Sequence, residues 1–260
     1  MQFAVRSPGT DPDQWLQGLQ QIPPGFTGYS LDCPYPLPDI PAATVRALRA
    51  WREERGVTYF IHTPVGKLSL GSLDPVVRQL SLQEVKRAIG LAAQVGAALI
   101  TVHPTPASGC AQVSDQTVER LEQEALAEIC AAAARYGVII ALENMPPGSI
   151  FAQRYSDFSG LLALLLEVVP LGITLDVGHA HLAQVSLPGI VHRLGHRLCH
   201  IHVHDNDRSG DLHLPVGQGT VDWPDLMRAL IQIGYQGFME LEFQGHEAHM
   251  ASRHYLENLF

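Results

Sequence analysis

Eight short runs rich in β-branched and apolar residues recur along the chain, and longer segments with helical patterning separate them. The runs lie near Phe3–Arg6, Gly28–Leu31, Val57–His62, Leu99–His103, Val138–Glu143, Gly172–Asp176, Cys199–His204 and Phe238–Glu242. Strands that alternate with helices build a parallel sheet, because a parallel neighbour is reached only by a crossover. Eight such units close a barrel. The pattern therefore predicts an α/β fold, a (β/α)8 TIM barrel. A chain of 260 residues suits one such barrel, which takes roughly 250 residues. No linker, low-complexity tract or short-period repeat interrupts it, so residues 1–260 read as a single domain.

The helical segments carry punctuation. Ser81 with Glu84 predicts a capping box, and Gly96 a C-terminal stop. Ser114 is expected to open a long helix that Gly137 ends. Ser156, with Asp157 behind it, is expected to open the next, and Asp222 to cap the helix entered at Pro224. The segment Gln17–Pro24 is ambiguous.

What ends each run matters more. YFIHTP ends in His62, ITVHP in His103, IIALEN in Glu143 and ITLDVGH in Asp176, with His179 just beyond. HIHVHD carries His202 and FMELEF carries Glu242. In this architecture the C-terminal ends of the strands form the active-site rim. The following GDLHLPVGQG adds Asp211 and His213, whose spacing places both on one face of an extended segment, while Gly217 and Gly219 permit close backbone approach. A lone strand-end His is more often a packing group than a ligand, and a lone Glu more often a solvated charge. Nine such residues need a common explanation, and converging carboxylates would repel unless a cation lay among them. The imidazole-rich set suits Zn²⁺ or Mn²⁺ better than Ca²⁺ or Mg²⁺.

The remaining histidines of the 13 in the chain take plainer readings. His192, His196 and His200 are expected in or just after a helix, at the surface or in packing. His246, His249 and His254 are expected at the surface. His181 and His204 stay open, with His204 expected to point off the barrel axis unless its strand bulges.

A net charge of −9 argues against a general nucleic-acid-coating protein, although bound divalent cations would make the working charge less negative. The four cysteines form no CxxC pair, and their scatter suits a reducing cytoplasm. MQFAVRSPGTDPDQW has no basic segment followed by an apolar one, so no signal peptide is expected. The most apolar stretch, Leu161 to Leu171, is broken by Glu167 and Pro170 and is too short to span a bilayer.

Taken together, VHP, LEN, LDVGH, HVHDNDR, DLHLPVGQG and the last strand Glu make the chain resemble the xylose isomerase-like TIM barrels. That family includes sugar epimerases, sugar-phosphate isomerases and the endonuclease IV group of apurinic-site nucleases. The resemblance runs from about Val57 to Phe243.

It implies two chemistries. Ketose 3-epimerases hold one metal, often Mn²⁺, with two Glu, one Asp and one His, positions matched by Glu143, Asp176, His202 and Glu242. His179 matches their substrate-contacting His, and His202, Asp205 and Arg208 match their HxxDxxR stretch. Glu143 and Glu242 would take and return a proton beside a metal-polarised carbonyl, through a metal-stabilised enediolate. Endonuclease IV holds three zinc ions with nine residues, all matched here by His62, His103, Glu143, Asp176, His179, His202, Asp211, His213 and Glu242. HPTP, however, replaces its HPGS, LENMPPGS departs from its LEN motif, and the loop from His202 to Asp211 is short. No basic, aromatic-containing rim segment suited to DNA is seen.

The resulting expectation is a divalent-metal isomerase or epimerase of a small sugar or sugar derivative, with one to three Mn²⁺ or Zn²⁺ ions and a carbohydrate partner. Nucleic acid enters only under the alternative of a multi-zinc phosphodiesterase. A third reading is a non-catalytic metal or sugar binder. The resemblance also allows a homo-oligomer and gives no membrane partner.

Overall fold

Alternation within each strand decides which side chains face the barrel axis and which face the helices. A computed structural model describes residues 1–107 and 115–259. Its strands are β1 (Gln2–Arg6), β2 (Gly28–Asp32), β3 (Thr58–His62), β4 (Leu99–Val102), β5 (Ile139–Glu143), β6 (Gly172–Asp176), β7 (Leu198–Val203) and β8 (Phe238–Leu241). They close in sequence order, all parallel, with β1 paired to both β2 and β8. This is the TIM barrel that the strand pattern predicts, with each boundary within about one residue of expectation.

The outward-facing residues, such as Tyr29, Leu31, Tyr59, Ile61, Ile140, Leu142, Ile201 and Val203, belong to the large core beneath the helices. Each large aliphatic side chain buried there stabilises the fold by about 1.5–3 kcal/mol. Inward-facing Ala4, Phe60, Leu99, Ala141 and Phe238 form a separate apolar cluster that fills the lower barrel. Above it the interior turns polar, starting with Thr101 and Thr174, whose hydroxyls lie 3.0 Å apart.

The helices are α1 (Pro12–Leu19), α2 (Ala42–Arg55), α3 (Pro75–Val95), α4 (Asp115–Ala134), α5 (Ser159–Glu167), α6 (Val177–Leu182), α7 (Leu187–Leu194), α8 (Trp223–Gln232) and α9 (His246–Glu257). The ambiguous segment resolves as the last residues of α1, Gln17–Leu19, followed by a turn, and Asp11 and Gln14 open that helix with a capping box. Gly96 ends α3 in the left-handed conformation, and Asp222 caps α8 by accepting from the Asp225 amide.

Two caps fall elsewhere. Helix α3 starts a turn and a half before Ser81, where the Asp74 side chain accepts from the Val76 amide. Ser81 instead donates to the Val77 carbonyl, and Glu84 accepts from the Leu37 amide. Helix α5 starts at Ser159, with Asp157 accepting from its amide, and Ser156 is buried ahead of it. Ser114 lies outside the described residues. Among the described residues no helix is long and apolar enough to cross a membrane.

Candidate metal centre

At the mouth, every strand contributes an ionisable side chain from its C-terminal end: Arg6, Asp32, His62, His103, Glu143, Asp176, His202 and Glu242. Six of these belong to the set read from the sequence. The same strand-end rule reaches the other two, Arg6 and Asp32. Arg6 donates to both oxygens of Asp32 and to Glu242, and its Nη2 lies 2.9 Å from His62 Nδ1. Burial opposes ionisation of Asp32, but its bond to His62 and the Arg6 charge hold its carboxyl down at about 2.

Glu143 is the hub of the buried part. Its Oε2 lies 2.9 Å from His103 Nε2 and 3.5 Å from His62 Nε2. Its Oε1 lies 2.9 Å from His202 Nδ1, which is also 3.1 Å from Glu242 Oε1. Burial works against the charge, yet the surrounding imidazoles keep the Glu143 carboxyl well below the usual carboxylate range. The same carboxylates, Glu242 foremost, push His202 up to about 10 against the effect of burial. Burial dominates at His103 and drives it down to about 4.

The remaining members gather on the rim. Ligand atoms of His179, His204, Asp211 and His213 lie within 4.8 Å of one another. His204 corrects the sequence expectation. Two residues from His202, it shares that residue's face, and its Nε2 lies 3.0 Å from Asp176 Oδ1 while its ring stacks on His213 at 3.9 Å. A Cβ on Gly178 would come within 1.9 Å of the His204 ring, so only glycine fits in DVGH. Burial opposes protonation of His179, but Asp176 above all raises it to about 10. His213 is likewise raised to about 9 against burial, mainly by its bond to Asp211.

Neighbouring residues fix these groups in place. Asn144 clamps the end of β6 through both the amide and the carbonyl of Asp176. Its own carbonyl lies 2.8 Å from His179 Nδ1, which leaves Nε2 facing Asp211. His213 Nδ1 lies 2.8 Å from the Glu242 carbonyl. Glu122, a buried carboxylate on α4, accepts from the Thr105 amide and the Tyr155 hydroxyl and so anchors the loop after His103.

Asp205, the middle residue of the HxxDxxR match, is fully buried and acts as a staple. It accepts from the amides of Asn206, Gly217 and Val221 and from Trp223 Nε1 at 2.9–3.1 Å. The loop bearing Asp211 and His213 is thereby pinned. Gly219 permits it, since a Cβ there would meet Asp205 Oδ1 at 2.3 Å. Arg208 is exposed at φ 69° and lies close enough to His181 to help burial press that imidazole's pKa down.

Two other histidines depart from expectation, and the open case of His181 is settled. His200 lies inside the barrel on β7, with Nε2 2.8 Å from Glu240 Oε2, so strand pairing and not a helix places it. His249 is buried, with Nε2 2.7 Å from the Phe243 carbonyl. His181 is buried against Thr220 at 2.8 Å. His192, His196, His246 and His254 are exposed or half-buried at the surface.

The donor set fits a divalent cation. Glu143, Asp176, His202 and Glu242 converge with ligand atoms within 4.8 Å and all four are buried. Three carboxylates packed this closely in a low dielectric repel one another, and Arg6 contacts only one of them. His62, His103 and Glu143 form a second such group that shares Glu143 with the first.

The xylose isomerase-like TIM barrel family model matches residues 24–259. An uncharacterised protein of Methanocaldococcus jannaschii is 30% identical over 212 residues, 76% of this chain and 68% of its own. Fructoselysine 3-epimerase of Shigella flexneri is 27% identical over 79% of this chain and 75% of its own. Among solved structures, a D-tagatose 3-epimerase-like protein superposes with a TM-score of 0.84 at 26% identity, covering 100% of this chain and 97% of its own. With a closed barrel and a matching family model, the chain belongs to the xylose isomerase-like TIM barrel family.

Proposed function

We propose that the protein is a divalent-metal-dependent isomerase or epimerase of a small sugar or sugar derivative. One observation carries the reading: two buried carboxylates, Glu143 and Glu242, flank His202 Nδ1 at 2.9 and 3.1 Å. Proton transfer beside a carbonyl needs one group to take the proton and another to return it. The similarity to fructoselysine 3-epimerase and to the D-tagatose 3-epimerase-like protein supports the same chemistry.

Glu143, Asp176, His202 and Glu242 would hold Mn²⁺ or Zn²⁺, which when bound supplies Lewis-acid polarisation of adjacent substrate oxygens. Glu143, held ionised by its imidazole neighbours, acts as the base. Glu242, braced by Arg6, returns the proton from the other side. His179 and Arg208 bind substrate oxygens from the rim. The free cysteines Cys33, Cys130 and Cys199 suit a reducing compartment, and we place the protein in the cytoplasm.

Wild-type protein loaded with Mn²⁺ should exchange the proton next to the carbonyl of at least one ketose with D₂O. Glu143→Gln should lower that exchange by about 10²–10⁴ with the fold intact. No exchange with any member of a ketose panel would sink the reading.

A second reading rests on the run of ligand groups, His62–His103–Glu143, then Glu143–Asp176–His202–Glu242, then His179–His204–Asp211–His213. Such a run suits a multi-zinc phosphodiesterase like endonuclease IV. Three zinc ions per chain, with chelator-sensitive cleavage of abasic-site DNA, would move the assignment there.

A further inference from the structure

Beneath the mouth the barrel holds a second His–carboxylate pair that the proposed reaction does not use. His200 and Glu240 are both fully buried, with Nε2 and Oε2 2.8 Å apart. The His200 ring packs against Phe60 with centroids 4.4 Å apart. Among the described residues Glu240 Oε1 has no hydrogen-bond partner, and neither does His202 Nε2. Glu240 and His202 are register partners across β7 and β8, and His200, His202 and Glu240 offer ligand-type atoms within 4.8 Å of one another.

His202 differs from three other histidines of the centre, His103, His179 and His213. His103 has Nδ1 3.4 Å from Thr63 Oγ1, whose hydroxyl donates to the Thr101 carbonyl and so is free to accept. His179 and His213 each place Nδ1 on a backbone carbonyl. In all three the proton is parked on Nδ1 and Nε2 faces the carboxylates. His202 is turned the other way: Nδ1 faces Glu143 and Glu242, and Nε2 points into the barrel. A neutral imidazole carries one N–H. For Nδ1 to offer its lone pair to a cation, the proton must sit on Nε2, where an acceptor has to lie within the barrel.

We propose that Glu240, anchored by His200, is a positioning residue that accepts the Nε2 proton of His202, directly or through one water, and so fixes the tautomer in which Nδ1 binds the metal. The proposal rests on the reading of His202 as a metal ligand. Its logic is the carboxylate–histidine–metal arrangement, in which the outer carboxylate orients the ring and raises its basicity. The small Ala4, the β1 register partner of Glu240, leaves room for the pair. A lone buried carboxylate would be costly, and His200 supplies the donor that offsets this.

The test uses the full-length protein. Nitrogen-15 NMR of histidine-labelled wild type loaded with Zn²⁺ should place the His202 proton on Nε2, and a proton on Nδ1 would overturn the proposal whether or not any variant folds. Glu240→Leu leaves His200 without its partner, so it is paired with His200→Phe, which removes the two polar groups together. The folded double variant should bind Zn²⁺ or Mn²⁺ about 10–100-fold more weakly in chelator competition. Wild-type affinity in that variant would overturn the proposal. If wild type itself binds neither ion, the metal reading falls first and this inference falls with it; metal binding by wild type with no loss in the variant defeats the inference alone.

Discussion

The two halves of the mouth are built on opposite plans. The inner quartet of Glu143, Asp176, His202 and Glu242 stands on or beside strand ends, is buried throughout, and inherits its geometry from the barrel's register. The rim quartet of His179, His204, Asp211 and His213 draws two members from a loop after β7, and its Asp211 side chain is 33% exposed. The inner group needs no loop to be in place. The rim group depends on Asp205, whose carboxylate ties the loop down by accepting four hydrogen bonds. Barrel enzymes vary chemistry through loops over a constant scaffold, and this molecule divides its candidate ligands along that line.

The sharpest way to break the comparison is to remove the staple. Asp205→Ala strands two amides beyond its neighbour and an indole in a buried site. We expect a loss on the order of 3–5 kcal/mol in urea unfolding. The inner cation should survive in the folded protein and the rim cation should not. Equal loss of both, measured by metal titration, would show that the halves are not independent.

A subtler cut is Asp211→Asn. It removes the only carboxylate of the rim quartet while leaving the inner four untouched. Under the epimerase reading, turnover should fall by less than about tenfold, whereas a rim cation that acts in phosphodiester hydrolysis should cost on the order of 10²-fold or more. Steady-state kinetics on the ketose and abasic-DNA substrates separates the outcomes.

The smallest effect concerns protons. In the metal-free protein His179 and His202 sit at about 10 and His213 at about 9, while His103 is at about 4. The first three are therefore charged at pH 7 and must lose a proton before binding a cation, while His103 is neutral already. Metal affinity should rise with pH up to about 9–10, and calorimetry in buffers of different ionisation enthalpy should register the released protons. The stability sign runs the other way for the free protein. Raised histidine pKa values stabilise it fully below about 6.5, and that contribution is lost as pH rises through the folded values. Flat affinity between pH 6 and 9 would show that the rings are already neutral.

Much of this is legible in the sequence alone. Strand periodicity gave the barrel, and the residue after each apolar run named six of the eight strand-end groups. Arg6 escaped because a cation does not look like a ligand, and Asp32 because it falls one residue past the expected strand. His204 and His200 needed the strand phase: spacing of two along and just past β7 sends His200, His202 and His204 to one face, whereas the sequence suggests the first in or just after a helix and the last off the barrel axis. Asp205 was legible as a motif member but not as a staple, since its partners lie up to 18 residues away in a loop whose path follows from tertiary contacts. The α3 cap was misplaced because Ser81 and Glu84 imitate a capping box while serving the loops at Ser69 and Leu37.

The apolar plug of Ala4, Phe60, Leu99, Ala141 and Phe238 has a consequence for traffic. It makes the barrel a cup with one doorway. Whatever enters past Arg6 and the loop pinned by Asp205 must leave by the same opening before the next molecule can arrive. Arrival and departure then share a single passage.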